Sequence, residues 1–209
     1  MNSIPITGKL LNEELIDNII YRSIIKGSQN YYYEIDYFYY KHSEGLSFDT
    51  IVASGENSSK PHAIPSERKI QKTDIITIDM GCKINGYCSD MTRTIFMGCI
   101  LEEIKPVYDL ALKNLELSTK EITDGYTIKT AANMVESDFK VNGYNLIHAL
   151  GHGVGLEVHE LPYIRLKNEA IFKENMVIAD EPGIYLPGKY GIRIEDTLLV
   201  TKDGSERLT

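Results

Sequence analysis

The sequence has no CxxC pair, no run of about 18 apolar residues and no cluster of basic side chains, and each absence removes a class of function. Its three cysteines, Cys82, Cys88 and Cys99, are an odd number without a paired framework. Neither a disulfide scaffold nor a zinc–thiolate site is therefore expected, and free thiols in a reducing, cytoplasmic compartment are the simplest reading. Without a long apolar run no membrane span is expected, and the start of the chain lacks the basic, apolar and small-residue succession of a secretion signal. Lys60, Arg68, Lys72 and Lys83 lie scattered among acidic neighbours and the net charge is -8, so a nucleic-acid surface is not expected either.

What is present is ordinary for a globular protein. With 209 residues, 43% hydrophobic and 25% charged, the chain can bury one sizeable core as a single domain over residues 1–209, with room for two similar halves. An internal correspondence supports the halves. Gly27 to Gly45 and Gly125 to Gly143 each span 18 residues, and each reads as a polar start, an amphipathic helix and a glycine stop. Tyr32, Ile35 and Tyr39 mark the first helix; Ile128, Ala131, Ala132, Val135 and Phe139 mark the second. A helix precedes each unit, a short one carrying Leu15, Ile19, Ile20 and Ile24, and a longer one carrying Ile104, Val107, Tyr108, Ala111, Leu115 and Ile122. Segments 48–54, 75–80, 87–96, 176–181 and 192–201 read as strands. Two helices followed by antiparallel strands, done twice, is an α+β arrangement with the helices on one face.

The segment DIITIDMGCKINGYCSDMTRTIF carries the densest information. Asn85-Gly86 between strand formers predicts a two-residue hairpin turn, in which the numbers of opposing residues sum to 171. Asp79 then faces Thr92 and Asp90 faces Gly81, so the aspartates are diagonal neighbours on one face, roughly 7–8 Å apart at the backbone. Gly81 is expected to leave the space opposite Asp90 open. Ile76, Ile78 and Met80 turn to the other face and a core. Taken alone, the hairpin suits a pair of metal ligands as well as structural carboxylates paired with Arg93 or a turn amide.

His148, His152 and His159 stand within twelve residues punctuated by Gly151, Gly153 and Gly155, and His62 lies in SSKPHAIP. Glycine lets backbone come close to a site, which ordinary core packing does not require. The spacing is not HExxH, which excludes a zincin helix. His42, on a polar helix end, reads as a solvated residue. Later, Glu181 alternates with Asp180 and Glu195 shares a face with Arg193, where, taken alone, a simple ion pair is the favoured reading.

Taken in order, IDMG, SDMTRT, HALGHGVGLEVHE, DEPGIY and GIRIED resemble the motifs of the pita-bread metallopeptidases, which include methionine aminopeptidases, aminopeptidase P and prolidase. The resemblance runs from about Gly27 to the C-terminus. It implies a pita-bread fold, two pseudo-symmetric halves of helices packed on a curved antiparallel sheet. It also implies two divalent ions held by Asp79, Asp90, His152, Glu181 and Glu195. That donor set suits Mn²⁺, Co²⁺ or Zn²⁺ without distinguishing them, and Mn²⁺ is the first expectation. By the same resemblance Glu181 shuttles the proton, His159 stabilises the tetrahedral intermediate and His62 contacts substrate at the scissile bond. His148 and Arg193 match neighbouring substrate-pocket positions. SFDTIVASGEN, PHAIP and GLEVHE look like the proline-specific branch, so hydrolysis of an Xaa-Pro bond at a peptide N-terminus is expected. The implied partners are a peptide substrate and, as an assembly, a homodimer.

Three features depart from the family pattern. The separate N-terminal domain of proline-specific members is not expected within this chain, and the first helix is short. Ala179-Asp180 also stands where Thr and an apolar residue are usual, and Asp180 should disturb packing more than coordination, since alternation turns it away from the metals. Two rival readings share the motifs: a methionine aminopeptidase, and a protein-binding domain without catalysis.

Overall fold

The computed structural model describes residues 31–209 apart from 65 and 67. The expected helix of Leu15, Ile19, Ile20 and Ile24 lies outside the described residues, as does the side chain of Tyr32. Helix α1 (Tyr31–His42) lays Ile35 and Tyr39 onto Ile76, Ile78, Met80, Cys82 and Met91, and these side chains form one apolar cluster. His42, on the last turn, is exposed as expected and packs its ring 4.5 Å from that of Phe38.

The first sheet follows, antiparallel, in the order β1 (Ile51–Ser54), β2 (Ile75–Met80), β5 (Met91–Phe96). Between β2 and β5 runs a small hairpin of β3 (Lys83–Ile84) and β4 (Tyr87–Cys88). Asn85 (φ 53) and Gly86 (φ 78) are both left-handed, the backbone a primed hairpin turn demands. The expected register holds in both paired stretches, with Ile84 opposite Tyr87 and Asp79 opposite Thr92.

Two details correct the sequence reading. The space beside Gly81 is not open: a Cβ there would come within 2.0 Å of the Ser89 carbonyl oxygen. Glycine is required because the chain bends inward at Ser89–Asp90, where the amide of Ser89 donates to Cys82 O at 3.0 Å. That same bend splits the expected strand 87–96 into β4 and β5.

The second half repeats the plan with both helices described. In α2 (Lys105–Glu121) Pro106 occupies the first turn, where its missing N–H costs nothing. Helix α3 (Ile128–Val141) buries Ile128, Ala131, Ala132, Val135 and Phe139 almost completely. It ends where the amide of Gly143 (φ 84) donates to Lys140 O and that of Tyr144 to Phe139 O, a left-handed glycine stop. The apolar stripes of α2 and α3 pack on Ile178, Ile184, Ile192, Ile194, Leu198 and Val200 in a second, larger cluster.

Ile178, Leu198 and Val200 belong to a five-stranded antiparallel sheet, and Ile184 and Ile192 to an adjoining hairpin. The sheet runs β12 (Gly204–Arg207), β11 (Asp196–Thr201), β8 (Val177–Asp180), β6 (Gly151–Gly153), β7 (Glu160–Ile164). The hairpin pairs β9 (Gly183–Leu186) with β10 (Tyr190–Arg193). The expected strand 192–201 is again broken, here at Ile194–Glu195. Glycine in β6 has a steric cause, since a Cβ on Gly151 would lie 1.9 Å from the Ala179 carbonyl oxygen. Asp180 points away from the cavity side, as alternation requires, and accepts a hydrogen bond from Ser118 Oγ of α2 at 2.6 Å. No helix among the described residues is long and apolar enough to cross a membrane.

Candidate metal centre

Asp79, Asp90, His148, His152, His159, Glu181, Arg193, Glu195 and His62 all line one cavity of about 390 Å³ between the two halves. Each of the five expected ligands comes from within a different strand or from the residue adjoining one. Asp79 is in β2, and Asp90 and Glu195 sit at the bends just before β5 and β11. His152 is the middle residue of β6, and Glu181 follows the last residue of β8. Backbone hydrogen bonds pin the irregular positions: Glu181 N to Leu150 O at 2.8 Å, and Glu195 N to Thr92 O at 3.1 Å. Thr197 Oγ1 donates to the Asp90 carbonyl at 2.7 Å.

The side chains converge. His152 Nε2 lies 3.5 Å from Asp90 Oδ2 and 3.7 Å from Glu181 Oε1. One atom each from Asp79, Asp90 and Glu195 fall within 4.8 Å of one another, as do atoms of Asp90, His152 and His159, so Asp90 is common to both groups. The His159 ring meets that of His152 edge-on at 4.3 Å. Burial, reinforced by the charges of Glu195, Asp79 and Glu181, pushes the Asp90 carboxyl well above the ordinary range. Glu181 is raised well above it by the same causes, burial foremost and then Glu195. Glu195 rises to about 8, again chiefly through burial and next through Asp79. Burial also drives His152 down to about 4, which keeps the imidazole neutral and able to ligate.

This donor set fits divalent cations. Asp79 Oδ1 and Glu195 Oε1 are buried with no hydrogen-bond partner among the described residues, a costly arrangement unless a cation meets them. Four carboxylates crowd together, and the guanidinium among them is already engaged. Oxygen donors with one imidazole suit a hard or borderline ion.

Arg193 is that guanidinium, and it is 3% exposed. Its Nη2 meets Asp79 Oδ2 at 2.6 Å, its Nε meets Thr92 Oγ1 at 3.0 Å, and its Nη1 is 3.0 Å from both Pro61 O and Tyr185 Oη. Its ion pair is thus with Asp79, and Glu181 Oε2 lies farther off, 4.0 Å from its Nε. Arg93, the alternative partner for Asp79, turns the other way, to Asp196 at 3.0 Å and the Glu195 carbonyl at 2.5 Å. His148 is held by Tyr185, its Nε2 3.0 Å from the phenol oxygen, and burial lowers it to about 4. His62 and His159 are exposed at the cavity wall.

Several groups here were missed in the sequence. Thr92 had a signal, because the hairpin register sets it opposite Asp79. Tyr185 lies inside DEPGIY, yet nothing local shows that it joins His148 to Arg193. Arg165, stacked 4.9 Å above the Tyr163 ring at the cavity wall, had no signal at all.

Comparison with known proteins agrees with this geometry. The profile described as Metallopeptidase family M24 matches residues 13–202. An Xaa-Pro dipeptidase of Pyrococcus furiosus is 43% identical over 169 residues, which are 80% of this chain and 49% of that protein. Among solved structures, a prolidase from Pyrococcus furiosus superposes with a TM-score of 0.86 at 38% identity, covering 94% of this chain and 60% of the other. An X-Pro aminopeptidase from Thermotoga maritima gives 0.86 at 36% identity, covering 94% and 58%. The chain thus spans about half the length of the curated relatives it matches. The likeness bears out the pita-bread α+β architecture, and the chain belongs to metallopeptidase family M24.

Proposed function

We propose that this chain is the catalytic part of a metal-dependent exopeptidase that hydrolyses the Xaa-Pro bond at the N-terminus of peptides or dipeptides. The observation that carries the reading is the cluster of Asp79, Asp90, Glu181 and Glu195 around neutral, buried His152, with two carboxylate oxygens that have no partner among the described residues. Two divalent ions bound there, Mn²⁺ by preference and Co²⁺ or Zn²⁺ by the same chemistry, would supply a nucleophilic water at neutral pH and polarise the scissile carbonyl. Glu181 has a raised proton affinity and faces the cavity. Its carboxylate takes the proton of the attacking water and passes it to the proline nitrogen as the C–N bond breaks.

The other side chains bind and orient. His159 stabilises the tetrahedral intermediate from the cavity wall, and His62 contacts the substrate around the scissile bond. Arg193 supports the site by fixing Asp79 and Tyr185, and Tyr185 in turn orients His148 for substrate. Arg165 has no ion pair among the described residues, so its guanidinium is suited to a peptide carboxylate at the cavity wall. The unpaired thiols of Cys82, Cys88 and Cys99 support a cytoplasmic setting, and a homodimer is the proposed assembly.

The test is hydrolysis of Ala-Pro, Ala-Pro-Ala and Met-Ala-Ala by the purified chain with added Mn²⁺, with Glu181→Ala as control. Release of alanine before proline, lost in the variant, is expected. Cleavage of the methionyl peptide alone would overturn the proline assignment, and a chain taking up none of the three ions would point to a binding domain.

A further inference from the structure

The hydroxyl of Thr92, in the first half, joins two groups of the metal centre that come from the second. It donates to Glu195 Oε2 at 2.6 Å and accepts from Arg193 Nε at 3.0 Å. A guanidinium only donates and a hydroxyl has one proton, so with Arg193 as its donor Thr92 commits that proton to Glu195. Donation by a guanidinium also polarises the hydroxyl and strengthens the bond it makes onward. Arg193 continues the chain to Asp79 Oδ2 at 2.6 Å. Asp79, Arg193, Thr92 and Glu195 are thus one connected set, and two of its members belong to the carboxylate cluster.

The setting is rigid. Thr92 is 0% exposed, and its carbonyl accepts from the amide of Glu195 at 3.1 Å, so position 92 holds position 195 by backbone and side chain together. Glu195 sits on a bend rather than in a regular strand, and its carboxylate has χ angles that the sheet ladder does not fix. With Oε2 taken by the hydroxyl, Oε1 is the buried oxygen that has no partner among the described residues.

We propose that Thr92 is a positioning residue of the metal centre: its hydroxyl fixes the Glu195 carboxylate so that Oε1 is presented to a divalent cation. The inference rests on the metal-dependent function proposed above. Outer partners of metal ligands typically contribute about 10–100-fold to metal affinity. Valine has nearly the shape of threonine and an equal liking for strands, so Thr92→Val removes the hydroxyl with little else.

Mn²⁺ titration of the chelator-stripped full chain by calorimetry, alongside thermal unfolding, tests it. Thr92→Val is expected to weaken Mn²⁺ binding by about 10–100-fold and Thr92→Ser to restore most of it. In a double-mutant cycle, Thr92→Val should add no further loss to Glu195→Ala, because the residue through which it acts is gone. Should the valine variant fail to fold, Thr92→Ala against Thr92→Ser makes the same comparison. Wild-type affinity in Thr92→Val, or additive losses in the cycle, would overturn the role of Thr92 while leaving the metal centre standing. A wild-type chain that binds no Mn²⁺ would overturn both.

Discussion

The two halves place their carboxylates by one plan with different offsets. In the first half, Asp79 lies inside β2 and Asp90 just ahead of β5, diagonal across the pair. In the second, Glu181 lies just past β8 and Glu195 just ahead of β11, one step beyond the last opposed pair, Asp180 and Asp196, in the same register. A short aspartate therefore works from within or beside its sheet, while the longer glutamates reach in from beyond the end of theirs. In both halves a small hairpin intervenes, β3–β4 in one and β9–β10 in the other. The supports, however, are exchanged: Asp79 is held by Arg193 of the second half, and Glu195 by Thr92 of the first. What repeats is the frame, and what makes the site is the crossing between copies.

The sharpest way to break this symmetry is Glu181→Ala. If Glu181 carries the proton as proposed, Xaa-Pro hydrolysis should fall by about 10²–10⁴-fold or more in steady-state kinetics. The counterpart change Asp79→Ala should act chiefly through metal affinity, with activity partly regained at high Mn²⁺. Next in size is Arg193→Leu, which leaves the Asp79 carboxylate buried beside unmet partners on Thr92, Tyr185 and Pro61. Urea unfolding should show a loss of about 3–5 kcal/mol. Arg193→Lys should recover little of it, since one ammonium cannot serve four separate acceptors in a planar fork.

The two cores can be compared directly with Ile78→Val and Ile178→Val, both fully buried. Each should cost about 0.5–1.5 kcal/mol by thermal unfolding. A clearly larger value for one would show which half collapses less well around a lost methyl. The smallest expected effect concerns Asp180, which has no ion pair among the described residues and meets Ser118 on its helix-facing side. Burial raises its pKa well above the usual 3.8, with Ser118 opposing the shift. The folded chain then keeps a proton that the unfolded chain releases, so this group lowers stability as pH rises from the unfolded pKa towards the folded one. Asp180→Asn should flatten that part of the pH dependence in metal-free protein, and an unchanged slope in pH-resolved urea curves would discount it.

Local chemistry was legible in the sequence wherever a turn or a period fixed it. Asn85-Gly86 determined the register of the first hairpin, and the stripes of α2 and α3 are the ones that reach the core. Reading failed where backbone approaches backbone across long sequence separations. Gly81 looked like open space but makes room for a carbonyl, and the bends at Ser89–Asp90 and Ile194–Glu195 were hidden inside apparently continuous strands. Strands β6 and β7 escaped because glycine and proline mask strand character, although Gly151 is there to let β6 lie against Ala179. The motifs supplied the site residues, and the structure gathers all nine around one cavity. The alliance of Thr92 with Glu195 spans 103 positions and has no local trace.

The β3–β4 hairpin adds to the exchange of supports, since the amide of Cys88 donates to Gly155 O at 2.7 Å, in the loop leading to His159. Each half thus behaves as the other's ligand, covalently tethered at an effective concentration on the order of mM. Ligand placement in one half is therefore a first-order event, independent of protein concentration. Cutting the connection between β5 and α2 would make it second-order, and metal uptake would then depend on dilution.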